Sequence, residues 1–146
     1  MNSTFEEREL SDPDNNSIII YGSTAIGDSS HAEGALTYAA GDGSHAEGSA
    51  TSAYGYSSHA EGVNTRAIGD CSHAEGYLSC ANNLFSHAEG YYSYAEGFAS
   101  HAENSGNTHG DGSHAEGWGL ANGLNSHAEG GGDSASYTFT LPDGET

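Results

Sequence analysis

The sequence predicts an all-β fold: a parallel β-roll, or β-solenoid, of short coils stacked on one another. Three observations predict it. The string Ser-His-Ala-Glu recurs eight times, small residues alternate with variable ones along each repeat, and glycine closes each alternating run.

The eight copies place histidines at His31, His45, His59, His73, His87, His101, His114 and His127. The first five intervals are 14 residues and the last two are 13. Seven copies continue with Gly and the sixth with Asn104. A fixed short period marks an architecture whose units bury their surface on each other, and 14 residues is shorter than the helical solenoid units. Glycine at every strand end also argues against helix.

A second pattern lies between the copies: Thr37, Ala39 and Gly41, then Thr51, Ala53 and Gly55, then Thr65, Ala67 and Gly69. Each unit therefore holds two half-units of the form Ser/Thr-x-Ala-x-Gly, and Ser23-Thr24-Ala25-Ile26-Gly27 is one more. A period of two is a strand signal. Ser30, Ala32 and Gly34 are expected to point inward, His31 and Glu33 outward. The glycines permit tight corners. Two five-residue strands and two corners make one coil, and about eight coils at the ~4.8 Å strand spacing give a rod of roughly 35–40 Å. Small residues fill the interior because nothing larger fits between strands pressed so close. A one-residue deletion belongs at a corner, since inside a strand it would flip the inward face.

This divides the chain into an irregular acidic segment, 1–16, a β-roll repeat domain, 17–135, and a C-terminal capping strand and tail, 136–146. Ser17-Ile18-Ile19-Ile20-Tyr21 reads as an apolar entry strand, and Tyr137, Phe139 and Leu141, alternating with Ser or Thr, as an exit strand, since solenoids need caps.

Composition narrows the function. The 146 residues are 34% hydrophobic, include 22 glycines and carry a formal net charge of −19. That balance normally signals disorder, which the repeats argue against. There is no lysine, and the two basic residues are Arg8 and Arg66. Replacing the counterions of a nucleic acid needs Lys or Arg, so nucleic acid is excluded as a partner, as is docking on an anionic membrane. No stretch is apolar enough to insert in a bilayer. Residues 1–12 lack the basic-then-apolar order of a signal peptide. Cys71 and Cys80 sit at different points of the repeat and are not expected to pair.

The two halves of the repeat drift differently. The outward positions of the second half-strand vary freely: Tyr38 and Ala40, Ser52 and Tyr54, Arg66 and Ile68, Cys80 and Asn82, Tyr94 and Glu96. Those of the first are always His and Glu. A solvated face tolerates drift, so the uniform face is expected to meet something equally repetitive, most simply the same face of another copy of the chain around a symmetry axis. The interface candidates are His31, Glu33, His45, Glu47, His59, Glu61, His73, Glu75, His87, Glu89, His101, Glu103, His114, Glu116, His127 and Glu129.

The Ser-x-Ala-x-Gly half-unit at 14-residue spacing resembles the head repeat of trimeric autotransporter adhesins. The Ser-His-Ala-Glu-Gly form, with Thr-x-Ala-x-Gly between, resembles repeats in tail proteins of Gram-positive phages and prophages, some of which carry a C-terminal self-cleaving chaperone domain. The resemblance spans about residues 17 to 135. It implies a left-handed parallel β-roll, three chains packed side by side, and a role in a surface fibre that contacts a host. In the adhesin heads the positions matching His and Glu are apolar and face the trimer centre; this sequence departs from them in every unit.

Three chemistries are open to the His and Glu ladders. In the first, they hydrogen-bond between chains around the axis and replace an apolar core. Pairing with Glu raises a histidine's pKa and burial lowers it, and the sequence leaves that balance open. In the second, the eight ladder histidines are metal ligands, since three imidazoles converging on the trimer axis can bind a transition-metal ion such as Zn, Ni or Fe. Cα atoms two apart in a strand are separated by roughly 7 Å, so His31 and Glu33 reach one ion only by leaning together. In the third, Ser, His and Glu form a hydrolase triad, which geometry opposes because Ser30 and His31 point to opposite faces. His-x-Glu also opens the zinc deaminase signature, but no Pro-Cys-x-x-Cys follows.

Aromatic residues are concentrated in the middle coils. Tyr77, Tyr91, Tyr92 and Tyr94, with Trp118 further on, are candidates for a stacking platform that takes a host cell-surface glycan or protein. His109 breaks the pattern and is expected to be an exposed loop residue. The incomplete Thr ladder is expected to point inward, which opposes an ice-binding role. The expectation is a structural or adhesive segment of a homotrimeric surface fibre, extracellular or on a virion such as a phage tail, and not an enzyme. The alternatives are a metal-binding trimeric β-roll and a phage polysaccharide depolymerase.

Overall fold

The computed structural model describes residues 22–130 and the backbone of two flanking strands, Ile18–Ile19 and Ser134–Ala135. Residues 1–17 and 136–146, with the expected exit strand at Tyr137, Phe139 and Leu141, lie outside the described residues.

The chain is a parallel β-solenoid of about eight coils, each close to 14 residues, with two nine-stranded sheets among the described residues. One sheet carries the His/Glu half of every repeat, including His31–Ala35, His45–Ser49 and His59–Val63. The other carries the second half, including Tyr38–Ala39, Arg66–Ala67 and Tyr94–Ala95. Register is strict: His31 lies beside His45, Ala32 beside Ala46 and Glu33 beside Glu47. Ile18–Ile19 pairs with His31 and Ala32 at the start, so the expected entry strand is part of the His/Glu sheet.

The core is a column of alanines. Among the described residues every buried hydrophobic residue is Ala except Cys80. Ala32 and Ala39, from opposite sheets, belong to one continuous cluster. A buried methyl contributes little; roughly 25 cal/mol per Å² over so small a group is a weak drive, and order must come from stacking. The larger apolar groups are outside, with Leu36, Leu124 and Trp118 each about 70% exposed or more.

Buried hydroxyls close the corners. Ser30, Ser58, Ser72, Ser100 and Ser113 each donate to the carbonyl three residues earlier, at 2.6–2.9 Å. At the other corner Thr65 donates to Glu61 O and Ser93 to Glu89 O. A tight corner strips its carbonyls of ladder partners, and a short hydroxyl side chain on the inside supplies one. This accounts for those interior Ser and Thr, while the hydroxyls of Thr37, Ser44, Thr51 and Ser126 are buried without such a bond. Thr37, Thr51, Thr65 and Thr108 all point inward, as expected.

Both corners use left-handed backbone at a fixed place in the coil. One row is Ser29, Gly43, Ser57, Cys71, Phe85, Ala99, Gly112 and Asn125; the other is Leu36, Ala50, Asn64, Leu78 and Tyr92. Ser, Ala, Cys, Asn, Leu, Phe and Tyr all take φ of 49–60° there. The reason is a reversed hydrogen bond. Strand N–H groups donate forward, as His31 does to Ser44 O at 2.9 Å, while corner N–H groups donate backward, as Ala50 does to Ala35 O at 2.8 Å. Stacking thus overrides residue preference, at about 1–2 kcal/mol for each non-glycine residue. Gly34, expected to point inward, stays in its strand beside Gly48 but is partly exposed, with φ +109°. A Cβ there would collide with the carbonyl of Gly48 in the next coil.

The 13-residue coils lose their residue at one corner, as expected. Tyr94 still pairs with Asn107, and Ala95 with Thr108. Asn104 and Ser105 now both take positive φ, and Ser105 is tied back to Tyr91 O and Ser93 Oγ.

Candidate functional site

The His/Glu sheet presents two parallel ladders. The alternation that buries Ala32 forces His31 and Glu33 onto the outer face. Imidazole rings follow one another at 4.7–4.9 Å along the ladder from His31 to His127. From His45 to His114 successive rings are within 6° of parallel, whereas His31 is tilted by 40° from His45 and His127 by 24° from His114.

The carboxylates lean onto this stack. Nε2 of His31, His45, His59 and His73 lies 3.5–3.9 Å from Oε2 of the Glu two residues on, far closer than the spacing of their Cα atoms. In the upper coils the pairing changes partner: His101 meets Glu89 at 3.3 Å and His114 meets Glu103 at 3.4 Å, each one coil back. Nε2 atoms of His31, His45, His59, His73, His87 and His114 are shielded from solvent and lack a hydrogen bond of good geometry. One donor atom from each of His31, Glu33 and His45 lies within 4.8 Å of the other two, and the same holds for His59, Glu61 and His73 and for Glu75, His87 and Glu89.

Burial decides the electrostatics where it is strongest. The pKa of His45 is lowered from 6.5 chiefly by burial, then by charge on His59 and His31; Glu47 and Glu33 oppose this. His87 is lowered in the same way by burial and by His101 and His73, against Glu75 and Glu103. Stacked imidazoles that would repel one another as cations favour neutral rings. Near the upper end Glu116 holds its proton above the ordinary carboxyl value because it shares it with Glu103, whose own value falls through that hydrogen bond.

Beside the ladders runs an open groove of about 510 Å³, lined by Glu61, Glu75, Glu89 and Glu103 with Gly76, Gly90 and Asn104. The residues after those two glycines are Tyr77 and Tyr91, whose rings stack 5.4 Å apart, with Tyr92 edge-on to both. Trp118 stands in the same row of the coil, its N–H on Gly130 O as that of Tyr77 is on Gly90 O. Tyr94 is on the other sheet, paired with Cys80 and Asn107. The five aromatic candidates therefore do not share one face: Tyr77, Tyr91 and Tyr92 form a cluster and Tyr94 is apart. Sequence period alone could have placed Tyr77 and Tyr91, four residues after a ladder histidine, on the His/Glu side.

The remaining reactive groups have separate roles. Ladder serines are inside and ladder histidines outside, so the Ser-His-Glu string makes no triad. His109 is exposed but ordered, with Nε2 3.1 Å from Glu96 and Nδ1 2.8 Å from Asn122 on the second sheet. Cys71 and Cys80 are free thiols; Cys80 is buried, which pushes its pKa up. Asp42, Asp70 and Asp111 accept a corner N–H from the preceding coil at 2.8–2.9 Å, so part of the acidity is structural. No helix among the described residues is long and apolar enough to cross a membrane.

Compared with protein-family models and with curated proteins, the chain matches none.

Proposed function

We propose that this chain is a structural and adhesive segment of a surface fibre, three copies side by side with their His/Glu ladders turned to a common axis. The observation that carries the reading is the uniform ladder face itself. The Nε2 atoms of six of its histidines are shielded yet lack good hydrogen bonds within one chain, while the opposite sheet varies from coil to coil. Groups of that kind are satisfied by a second surface of the same period, and the chain's own repeat is such a surface.

The alanine core supports the same reading. A column of methyls is a thin basis for a free-standing rod, and the bulky apolar residues are on the outside, available to neighbouring chains. The resemblance to adhesin heads and phage tail repeats supplies the left-handed trimer and the location, extracellular or on a virion. Contact with a host glycan or protein falls to the exposed aromatics, foremost Tyr77, Tyr91 and Tyr92. The role is not enzymatic.

The test is solution mass by light scattering at neutral pH, with and without chelator. One chain is 15.0 kDa. A particle of about 45 kDa that survives chelator supports a protein-only trimer. A stable monomer overturns the interface and turns the ladder face into an open surface.

A further inference from the structure

We propose that the His/Glu ladders form a row of binding sites for borderline divalent transition-metal ions, with Zn²⁺ as the type ion, each site assembled within one chain from neighbouring coils. Every donor set lies in a single chain, so the inference stands apart from the trimer.

Geometry is the first support. A tetrahedral ion with nitrogen and oxygen ligands at 2.0–2.2 Å holds adjacent donors roughly 3.3 Å apart. His31 Nε2 and Glu33 Oε2 are 3.5 Å apart, as are His59 Nε2 and Glu61 Oε2. The third donor comes from the next coil: His45 for the first pair and His73 for the second, all three atoms within 4.8 Å of one another. Bringing it in needs ring rotation that closes the gap between donors by up to roughly 1.5 Å. The 40° tilt of His31 against His45 is a rotation of this kind at the end of the stack.

Unmet bonding is the second support. The Nε2 atoms of His31, His45, His59 and His73 are shielded and lack a good hydrogen bond, although each faces a carboxylate. A neutral imidazole offers a lone pair there. The carboxylates supply charge that a dication neutralises, in a chain whose formal charge is −19.

Donor chemistry sets the ion class. Imidazole with carboxylate suits Zn²⁺, Ni²⁺, Cu²⁺ and Co²⁺. Ca²⁺ and Mg²⁺ prefer all-oxygen sites, whereas each of these donor sets includes an imidazole nitrogen. Glu89 serves both the His87 and the His101 sets, and Glu103 both the His101 and the His114 sets. Filling one level therefore blocks its neighbour, and saturation is expected at about three to four ions per chain rather than one per histidine.

The experiment uses the full chain without a polyhistidine tag, stripped with EDTA and titrated with Co²⁺ as a spectroscopic probe, with metal counted after dialysis against Zn²⁺. Intense visible bands and about three to four ions per chain are expected. The double variant His59→Gln, His73→Gln should lose about one ion. His109→Gln, off the ladder, should lose none. Circular dichroism confirms that the variants stay folded, and the Co²⁺ spectrum of the unaltered chain remains a test if they do not. Featureless spectra, a count unmoved by the double variant, or displacement by equal Ca²⁺ would each overturn the proposal, the last by showing carboxylate binding alone. Light scattering on the same samples reads the trimer separately.

Discussion

Nε2 of His101 lies 3.3 Å from Oε1 of Glu89, a residue of the preceding coil, whereas His59 pairs with Glu61 of its own strand. The carboxylate ladder is thus shared between coils. Glu89→Gln should cost less than about 1 kcal/mol, because the pair is about one-third exposed and such ion pairs contribute little. Chemical denaturation of the two chains measures it, and a loss of several kcal/mol would show that the face is far drier in solution than in one chain.

Acid should weaken the fold before the carboxylates titrate. The folded pKa values of His45 and His87 lie below the ordinary 6.5, mainly through burial. A group whose folded value is depressed and whose charged form is the protonated one favours the folded state fully above its unfolded value. That advantage is lost as pH falls from the unfolded value toward the folded one. The melting temperature, followed in EDTA from about pH 8 to about pH 5, should decline, and less steeply in the His45→Gln, His87→Gln chain. A rise on acidification would mean that pairing of protonated His with Glu outweighs burial.

One substitution should act with opposite signs at two places in the same coil. Ala50 sits in a corner at φ +57°, where glycine is at ease. Ala50→Gly is expected to stabilise by roughly 0.5–1 kcal/mol. Ala53, fully buried three residues on, loses a packed methyl and strand stiffness; Ala53→Gly should destabilise by about 1 kcal/mol or more. Equal effects at both sites would contradict the left-handed corner.

Not every glycine in the repeat is replaceable. A Cβ on Gly62 would collide with the carbonyl oxygen of Gly76, at a backbone φ of +103°. Gly62→Ala should cost at least about 2 kcal/mol or leave the chain insoluble. At Gly43 a Cβ would only touch Ser57 Oγ at 3.4 Å. Gly43→Ser should therefore cost no more than about 1–2 kcal/mol, as at the other non-glycine corners. Unfolding midpoints of the two variants settle the contrast.

The aromatic cluster makes a separate prediction. Replacing Tyr91 and Tyr92 by Ala should reduce binding to a glycan array or to host envelopes at least tenfold, with no change in solution mass. Tyr94→Ala, on the other sheet, should leave binding intact. The reverse result would move the receptor contact to the variable sheet.

Much of the architecture was legible because a repeat states the same rule many times. The 14-residue period gave the coil, the Ser-x-Ala alternation gave inside and outside, and the shift to 13 gave a corner. The backward hydrogen bonds were not legible, since they depend on the neighbouring coil and hold Leu36 and Phe85 at positive φ despite the cost. The positive φ of Gly34, packed against the backbone of Gly48, was hidden for the same reason. At the site, the ladders followed from spacing, but the lean of Glu33 onto His31 and the switch of partner at His101 are side-chain choices that no period encodes. The aromatics were misleading as a group, because clustering in sequence placed Tyr92 and Tyr94 on different faces.

The missing residue between Glu103 and Asn107 leaves Tyr94 opposite Asn107 and every ladder in phase. An insertion or loss at that bend changes how far the bend protrudes and nothing else. Loss or gain of a whole unit changes only height, one step of about 4.8 Å at a time. Reach is therefore a digital quantity in this molecule, written as the number of units in its gene. Unequal recombination between near-identical units can lengthen or shorten the rod while each remaining step keeps its neighbours, its side chains and its phase.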